Sequence, residues 1–518
     1  MPITEMLSRN ARVYPFETAL IERDPAHGSR RDVTWLEFEN QVNRLSNALI
    51  SRGVGRGRKT AILLMNCLEW LPVYFGIIKT GGMAVPLNFR YTAEEISKCL
   101  AASDSEILIF GPEFTERIEQ IRHELVFIKE FVFIGESGRP EWARDYPEYI
   151  WGFTAKDPQV PLCDHEDAAL YFSSGTTGTP KPIILTHANL VSAAITENRH
   201  HLQNHHDNFL CIPPLYHTGA KMHWMGNLIV GAKAVILRGV KPKWVLEAVS
   251  EEQATIVWLL VPWAQDILDA IESGEVDLGD YQLDQWRLMH IGAQPVPPSL
   301  IHQWKKYFPD QLYDTNYGLS ESTGPGSVHL GMENIHKVGA IGVAGFNWEA
   351  KVVDEDGRLL ADGSVGELLL RGPGVMRGYY NNDSATEGAL KDGWLYTGDM
   401  ARRDPDGFIY LVDRKKDVVI TGGENIFPVE IEDFLRAHPD IKDVAVIGMP
   451  DKRLGEIPIA VVDVKKGRDL TEEQVLEFCQ ELARYKRPRK VFFDEVPRNP
   501  TGKIEKPKLR EKYHIKLF

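Results

Sequence analysis

Cysteine is scarce and scattered. The 518 residues hold five, Cys67, Cys99, Cys163, Cys211 and Cys479. No two have CxxC spacing, which argues against a disulfide framework or zinc knuckle and for thiols in a reducing compartment. Basic charge is also in deficit: 59 Lys and Arg face 73 Asp and Glu, a net of −14. General binding to nucleic acid or anionic membrane is therefore disfavoured. Long apolar runs are missing too. The most apolar stretch, 61–78, is interrupted by Asn66, Glu69 and Pro72 and makes a poor membrane span. Residues 1–10 lack the apolar run of a signal peptide, and the terminal Ile515-Lys516-Leu517-Phe518 is not a peroxisomal tail. A cytoplasmic protein with no membrane span is expected. There is no short repeat or low-complexity tract. What remains is ordinary globular composition, 43% hydrophobic and 25% charged. Its length predicts roughly three structural units of about 150 residues.

Apolar residues Trp35, Phe38, Val42, Leu45 and Leu49 recur at spacings of three and four and predict a helix. Thr34 with Glu37 supplies a capping box and Gly53 a stop. From 61 to 110 strand-like and helix-like segments alternate: strands near 61–65, 83–87 and 106–110, helices near 68–79 and 93–102. The alternation returns over 208–271, with strands at 209–212, 234–237 and 255–260 and helices at 221–229 and 242–250. This is the pattern of a parallel sheet covered by helices. After about Gly339 the segments shorten into hairpins, with Asp356-Gly357 and Asp406-Gly407 as turns. The charged run Asp413-Arg414-Lys415-Lys416-Asp417 then precedes a mixed region with strands at 444–447 and 459–464 and a helix at 472–483. The expected fold is α/β: a large domain, 1–412, of helix-covered sheets with a β-rich subdomain from about 340, a hinge at 413–417, and a small mobile α+β domain, 418–518.

The strongest local motif is 171–181, Tyr-Phe-Ser-Ser-Gly-Thr-Thr-Gly-Thr-Pro-Lys. Gly175 and Gly178 let backbone N–H groups approach an anion. Hydroxyls of Ser173, Ser174, Thr176, Thr177 and Thr179 add donors, and Lys181 a cation. These suit a polyphosphate, although the loop is not a Walker A motif. It resembles the signature loop of the ANL superfamily of adenylate-forming enzymes, which comprises acyl-CoA synthetases, nonribosomal peptide adenylation domains and beetle luciferases. Further family motifs follow in order over nearly the whole chain.

The resemblance implies the following roles. Asn316, Tyr317, Gly318, Leu319 and Ser320 would pack along adenine and the α-phosphate, joined by Gly292, Ala293 and Gln294, while Glu321 would help hold Mg²⁺, a hard cation that favours carboxylate oxygen. Asp399, in Tyr396-Thr397-Gly398-Asp399, would bind the ribose, helped by Arg414. The family usually has glycine before that arginine, where this chain has Asp413. Lys416 would be the hinge residue. Gly422 and Gly423 would line a pantetheine tunnel, where a side chain would obstruct a thin channel. Lys503, in Pro497-Arg498-Asn499-Pro500-Thr501-Gly502-Lys503, would stabilise charge as pyrophosphate leaves. It lies in a basic end, with 12 Lys and Arg against 4 Asp and Glu over 484–518.

Pro213-Pro214-Leu215-Tyr216-His217-Thr218-Gly219 matches the family's Phe-His-x-x-Gly segment, with the glycine one residue early. His217 is assigned to positioning substrate and gating the tunnel. No acidic residue occurs over 213–237, which disfavours an amino acid as substrate, since the family's amino-acid-activating domains carry an aspartate there. The chain also ends soon after Lys503, so free CoA is the expected acceptor. Phe172, His217, Trp224, Trp263, Gly292, Leu319 and Gly324 are the candidate pocket residues, with Trp258 beside them. The tryptophans either shape a short closed pocket or belong to the core; the pattern alone does not divide these readings.

The resemblance therefore implies an ATP-dependent, AMP-forming carboxylate–CoA ligase with Mg²⁺ as cofactor. Its acid would be compact and cyclic, aromatic or short and branched. A medium-chain fatty acid is the alternative. A luciferase-like oxidative enzyme and a non-catalytic nucleotide-binding protein are the rivals from other classes. The sequence leaves a homodimer open.

Overall fold

The computed structural model describes residues 1–173, 181–292, 296–330, 332–422, 424–498 and 504–513. Two large sheets organise the N-terminal part, one of nine strands and one of eight. Their sequence logic is visible in single strands. In Ile256–Leu260, Ile256 and Trp258 face one hydrophobic core while Val257 and Leu259 face another. Ile62 likewise faces the first core while Ala61 and Leu63 turn the other way. Both faces of each sheet are therefore covered, as parallel strands require.

The shared core joins strand residues of both sheets to several helices, among them Trp35–Ser51, Trp70–Ile78, His187–His201 and Thr218–Val230. These four lie between the sheets. Helices Pro242–Glu252, Val261–Glu272 and Pro298–Tyr307 cover the outer face of the nine-stranded sheet. Helices Ala93–Ala102 and Thr115–Ile121 cover that of the eight-stranded sheet. The predicted capping box at Thr34 is formed: the Glu37 amide donates to Thr34 Oγ1 at 3.2 Å and the Thr34 amide to Glu37 Oε2 at 2.8 Å.

Most elements coincide with the sequence reading, though several boundaries differ: the strand expected at 444–447 runs Ile441–Asp451, and two helix ends move. The helix expected from 221 begins at Thr218, with His217 as N-cap. The helix expected over 472–483 stops at Phe478. There the Arg487 guanidinium donates to the carbonyls of Leu482 at 2.8 Å and Gln480 at 2.6 Å, satisfying acceptors that a longer helix would have used.

From Glu349 the chain builds an antiparallel sheet of Glu349–Val353, Val365–Arg371, Trp394–Arg403 and Ile409–Arg414, with Leu390–Lys391 at its edge. It leaves this sheet at Arg414, turns through Lys415, Lys416 and Asp417, and enters another at Val419. That last sheet packs against helices Pro428–Arg436 and Glu472–Phe478 around its own core. No helix is long and apolar enough to cross a membrane among the described residues.

Candidate active site

Strands Asp167–Ser173 and Lys181–Thr186 pair antiparallel, with Ser173 opposite Lys181 and Phe172 opposite Pro182. The two ends of the Ser/Thr/Gly loop are thus adjacent. Ser174, Gly175, Thr176, Thr177, Gly178 and Thr179 lie outside the described residues, as do Ala293, Gln294, Gly423 and Lys503.

Beside the loop's ends stands Tyr379. Its strand, Gly378–Tyr379, pairs with Ile183 and Ile184. The Lys181 ammonium lies 5.8 Å from the Tyr379 ring centre, and the Tyr379 hydroxyl donates to Glu321 Oε1 at 3.0 Å. Burial lifts the Glu321 carboxyl above the usual carboxylate range despite that hydrogen bond. A carboxylate short of positive partners beside a candidate phosphate loop suits a hard divalent cation. Sequence reasoning missed Tyr379; only its pairing with the strand after the loop brings it to Glu321.

Strand Leu312–Gly318 carries Tyr317 and turns sharply at Gly318, where an added Cβ would lie 2.2 Å from the Gly324 carbonyl oxygen. Glycine is therefore obligatory at that close approach. The Tyr317 hydroxyl donates to Asp399, and Arg414 Nε sits 3.1 Å from Asp399 Oδ1. Asp399 and Arg414, distant in sequence, are direct cross-strand partners. Asp399 is 5% exposed. The chain tightens around it: the Thr397 hydroxyl donates to the Leu368 carbonyl at 2.6 Å, and Gly398 N–H to Glu367 at 3.1 Å. Tyr317, Asp399 and Arg414 thus form one group, with the Ser320–Ser322 turn carrying Glu321 at its side. Leu319 packs on the Tyr317 cluster. The Asn316 amide points elsewhere, donating to Glu197 at 2.9 Å.

A second group lies where helix Thr218–Val230 meets the nine-stranded sheet. An added Cβ at Gly219 would lie 2.7 Å from the Trp258 ring, so the helix can approach the sheet only without a side chain there. The Cβ position of Gly292 looks onto Trp258 Nε1 at 3.9 Å and His290 Nε2 at 3.4 Å, and that of Gly324 onto Met222 at 3.4 Å. His217, at the helix start, lies against the Tyr216 ring at 4.2 Å between centres.

Two candidate pocket residues are corrected. Trp224 turns to the opposite side of its helix and packs on Phe38 and Phe75 at 6.1 and 5.6 Å. It lies five residues from Gly219, about 140° round the helix at 3.6 residues per turn, and so faces away from Trp258. Trp263 packs on the core outside the nine-stranded sheet. Of the three tryptophans weighed, Trp258 alone stands with Gly219 and Gly292. Gly422 closes the tight hairpin between Thr421 and Glu424, its N–H donating to the Leu454 carbonyl at 2.8 Å.

The family model described as AMP-binding enzyme matches residues 7–380, and the model of its C-terminal domain matches 430–503. The chain belongs to the AMP-binding enzyme family. Among curated relatives, the AMP-binding enzyme is 31% identical to an indoleacetate–CoA ligase of Aromatoleum aromaticum over 527 residues, covering 100% of this chain and 99% of the relative. It is also 31% identical to the long-chain-fatty-acid–CoA ligase FadD13 of Mycobacterium tuberculosis, covering 98% of each chain. Among solved structures, the anthranilate CoA ligase AuaEII with anthranoyl-AMP superposes with a TM-score of 0.87 at 27% identity, covering 99% of this chain and 97% of that one.

Proposed function

We propose that this AMP-forming acid–CoA ligase activates a compact cyclic or aromatic carboxylic acid in the cytoplasm. Trp258 carries the reading of the acid. A rigid indole against Gly219 and beside Gly292 makes a short wall where a long alkyl chain would need a tunnel. The indoleacetate and anthranilate relatives agree with that choice. The long-chain relative supports the fatty-acid alternative.

In the first half-reaction a carboxylate oxygen attacks the α-phosphorus of ATP, and the bond to pyrophosphate breaks. Asp399 accepts from the ribose hydroxyls with Arg414 beside it, and Tyr317 packs along the base. Lys181 and the loop it closes hold phosphate oxygens. Glu321 would hold Mg²⁺, which would neutralise phosphate charge. Lys503 steadies the charge on the α-phosphate and the incoming carboxylate. In the second half-reaction the CoA sulfur attacks the acyl carbon, the bond from that carbon to the bridging oxygen breaks and AMP departs with that oxygen, while the thiol proton passes to solvent. His217 positions the substrates. The small domain turns about Lys416, withdrawing Lys503 and bringing Gly422 and Gly423 to the tunnel.

Acid-dependent ATP–pyrophosphate exchange over benzoate, indoleacetate, cyclohexane carboxylate, crotonate, linear acids and amino acids tests the reading. The expected result is exchange with a compact ring acid and AMP release that requires CoA. Preference for linear acids of medium or greater length would overturn the substrate class. Lys503→Ala should nearly abolish exchange yet spare thioester formation from preformed acyl-adenylate; equal damage to both would remove the two-pose scheme.

A further inference from the structure

Behind Trp258 lies a group of side chains that the adenylation chemistry does not use. Helix His187–His201 presents Glu197, His200 and His201 on one face, at spacings of three and four. Helix Thr218–Val230 adds His223, and strands Leu288–Gly292 and Leu312–Gly318 add His290 and Asp314. None of these six side chains is more than 2% exposed.

Hydrogen bonds fix where the imidazole protons sit. Asp314 accepts from His200 Nε2 on one oxygen, and from His201 Nε2 and His290 Nδ1 on the other. His223 Nδ1 donates to the Gly219 carbonyl at 2.9 Å. With those protons placed, lone pairs remain on His201 Nδ1, His223 Nε2 and His290 Nε2. None of the three atoms has a hydrogen-bond partner, and neither does Glu197 Oε2. That oxygen lies 3.4 Å from His223 Nε2 and 3.7 Å from His201 Nδ1, while Glu197 Oε1 accepts from Asn316. The three rings cluster, each offering a nitrogen within 4.8 Å of the others. Their centres are 4.2 to 5.4 Å apart.

Buried nitrogen and oxygen atoms left without partners forgo the hydrogen bonds that water would give them. A proton on Glu197 could serve one nitrogen and would leave two unserved. We infer that His201, His223 and His290, with Glu197 as fourth ligand, bind a divalent transition-metal ion of the zinc class. The ligand set is apt: imidazole nitrogen and carboxylate suit Zn²⁺. A carboxylate or carbonyl that receives each ligand's other N–H, as Asp314 and Gly219 do, orients metal-binding histidines. His200 stays on Asp314 and completes that anchor.

The ion would tie two central helices to strand Leu288–Gly292, with Asp314 of the next strand anchoring two of the ligands. It also sits directly behind the Trp258 indole, since His223 stacks on that ring at 4.6 Å and 26°, and His290 meets it edge-on at 5.4 Å. Its place is structural: it would fix the tilt of the indole wall.

The test uses the full-length, untagged protein, because a histidine tag would bind metal itself. Elemental analysis after dialysis should find about one zinc-class ion per chain, and strong chelation should remove it with a fall in Tm that added Zn²⁺ reverses. Loading the chelated protein with Co²⁺ should give the visible absorption of a low-coordinate nitrogen and oxygen site. His223→Gln and Glu197→Gln should each lower the stoichiometry or shift that spectrum, while His302→Gln, at an exposed histidine, should change neither. Zinc-independent Tm together with no cobalt spectrum in the wild-type protein overturns the site, and this holds even if a histidine variant fails to fold. A bound ion whose spectrum is unchanged in Glu197→Gln and His223→Gln overturns it as well.

Discussion

Asp399→Asn tests the nucleotide site at its most constrained residue. The substitution keeps the volume of a side chain that is 5% exposed and removes only its charge and one acceptor edge. A hydrogen bond to a charged group contributes roughly 1.5–3 kcal/mol, and a neutral one about 0.5–1.5 kcal/mol. Two ribose hydroxyls on the carboxylate therefore lose about 1 kcal/mol each, or about 2 kcal/mol together, which is about 30-fold in kcat/KM for ATP. The Arg414 guanidinium at 3.1 Å also loses its counter-charge, so a fall in Tm should accompany the kinetic effect. Pyrophosphate exchange with ATP and with 2′-deoxy-ATP isolates the ribose contribution. The wild-type enzyme should discriminate about tenfold or more against the deoxynucleotide. The variant should discriminate only a few-fold. Equal discrimination by the two proteins would refute a contact between Asp399 and the ribose, whatever the loss in overall rate.

Three further outcomes follow from buried groups. Asp413 is 7% exposed, and burial raises its carboxyl to about 6, although Lys506 opposes the rise. A folded pKa above the unfolded value near 3.9 means that the native state holds the proton more tightly. Stability from this group is thus full below about pH 4 and lost as pH rises through 6. Asp413→Asn should flatten the Tm–pH curve over that window, and an unchanged slope would exclude the group as its source. Lys221 is fully buried, with its ammonium 4.2 to 5.0 Å from the rings of Tyr171, Tyr74 and Trp70, and burial holds its pKa well below normal. Lys221→Met keeps the volume and removes the desolvated amine, so calorimetry should show an equal or higher Tm; a loss above about 1.5 kcal/mol would refute the assignment of net cost. Trp258→Ala should shift the acid panel toward longer substrates, while a uniform loss across acids would mean that Trp258 does not bound the pocket.

The fold was readable where one physical signal dominated. The apolar period of 35–49 and the Thr34–Glu37 cap are local, and they predict a helix that the structure forms. Turn chemistry at Asp356-Gly357 and Asp406-Gly407 is equally local, and both glycines have positive φ. The pairing of Asp399 with Arg414 lies between local and distant, since one hairpin brings them together. The side that Trp224 faces is not legible in the sequence, because an aromatic in a buried helix can face either side, and helical period cannot say which side holds substrate. Tyr379 and the histidine group were not legible. Glu197, His200, His201, His223, His290 and Asp314 come from two helices and two strands, and no spacing within one element announces their meeting. His200 and His201 close their helix, where histidine is common for electrostatic reasons alone.

Asp413, the last aspartate before the turn at Lys415–Asp417, gives that turn a resting position. Asp413 Oδ2 accepts the Val429 amide at 3.0 Å. Val429 lies in the first turn of helix Pro428–Arg436, whose N-cap, Phe427, offers no side-chain acceptor. The last strand before the joint therefore caps the first helix beyond it. A turn about Lys416 would carry Val429 away from Asp413 and expose an uncapped amide to water. An N-cap contributes about 1 kcal/mol, or about fivefold in the ratio of two poses. If the small domain turns as proposed, the latch would bias the idle enzyme toward the pose in which it is closed. Glycine at that position would leave the small domain free to wander between turnovers.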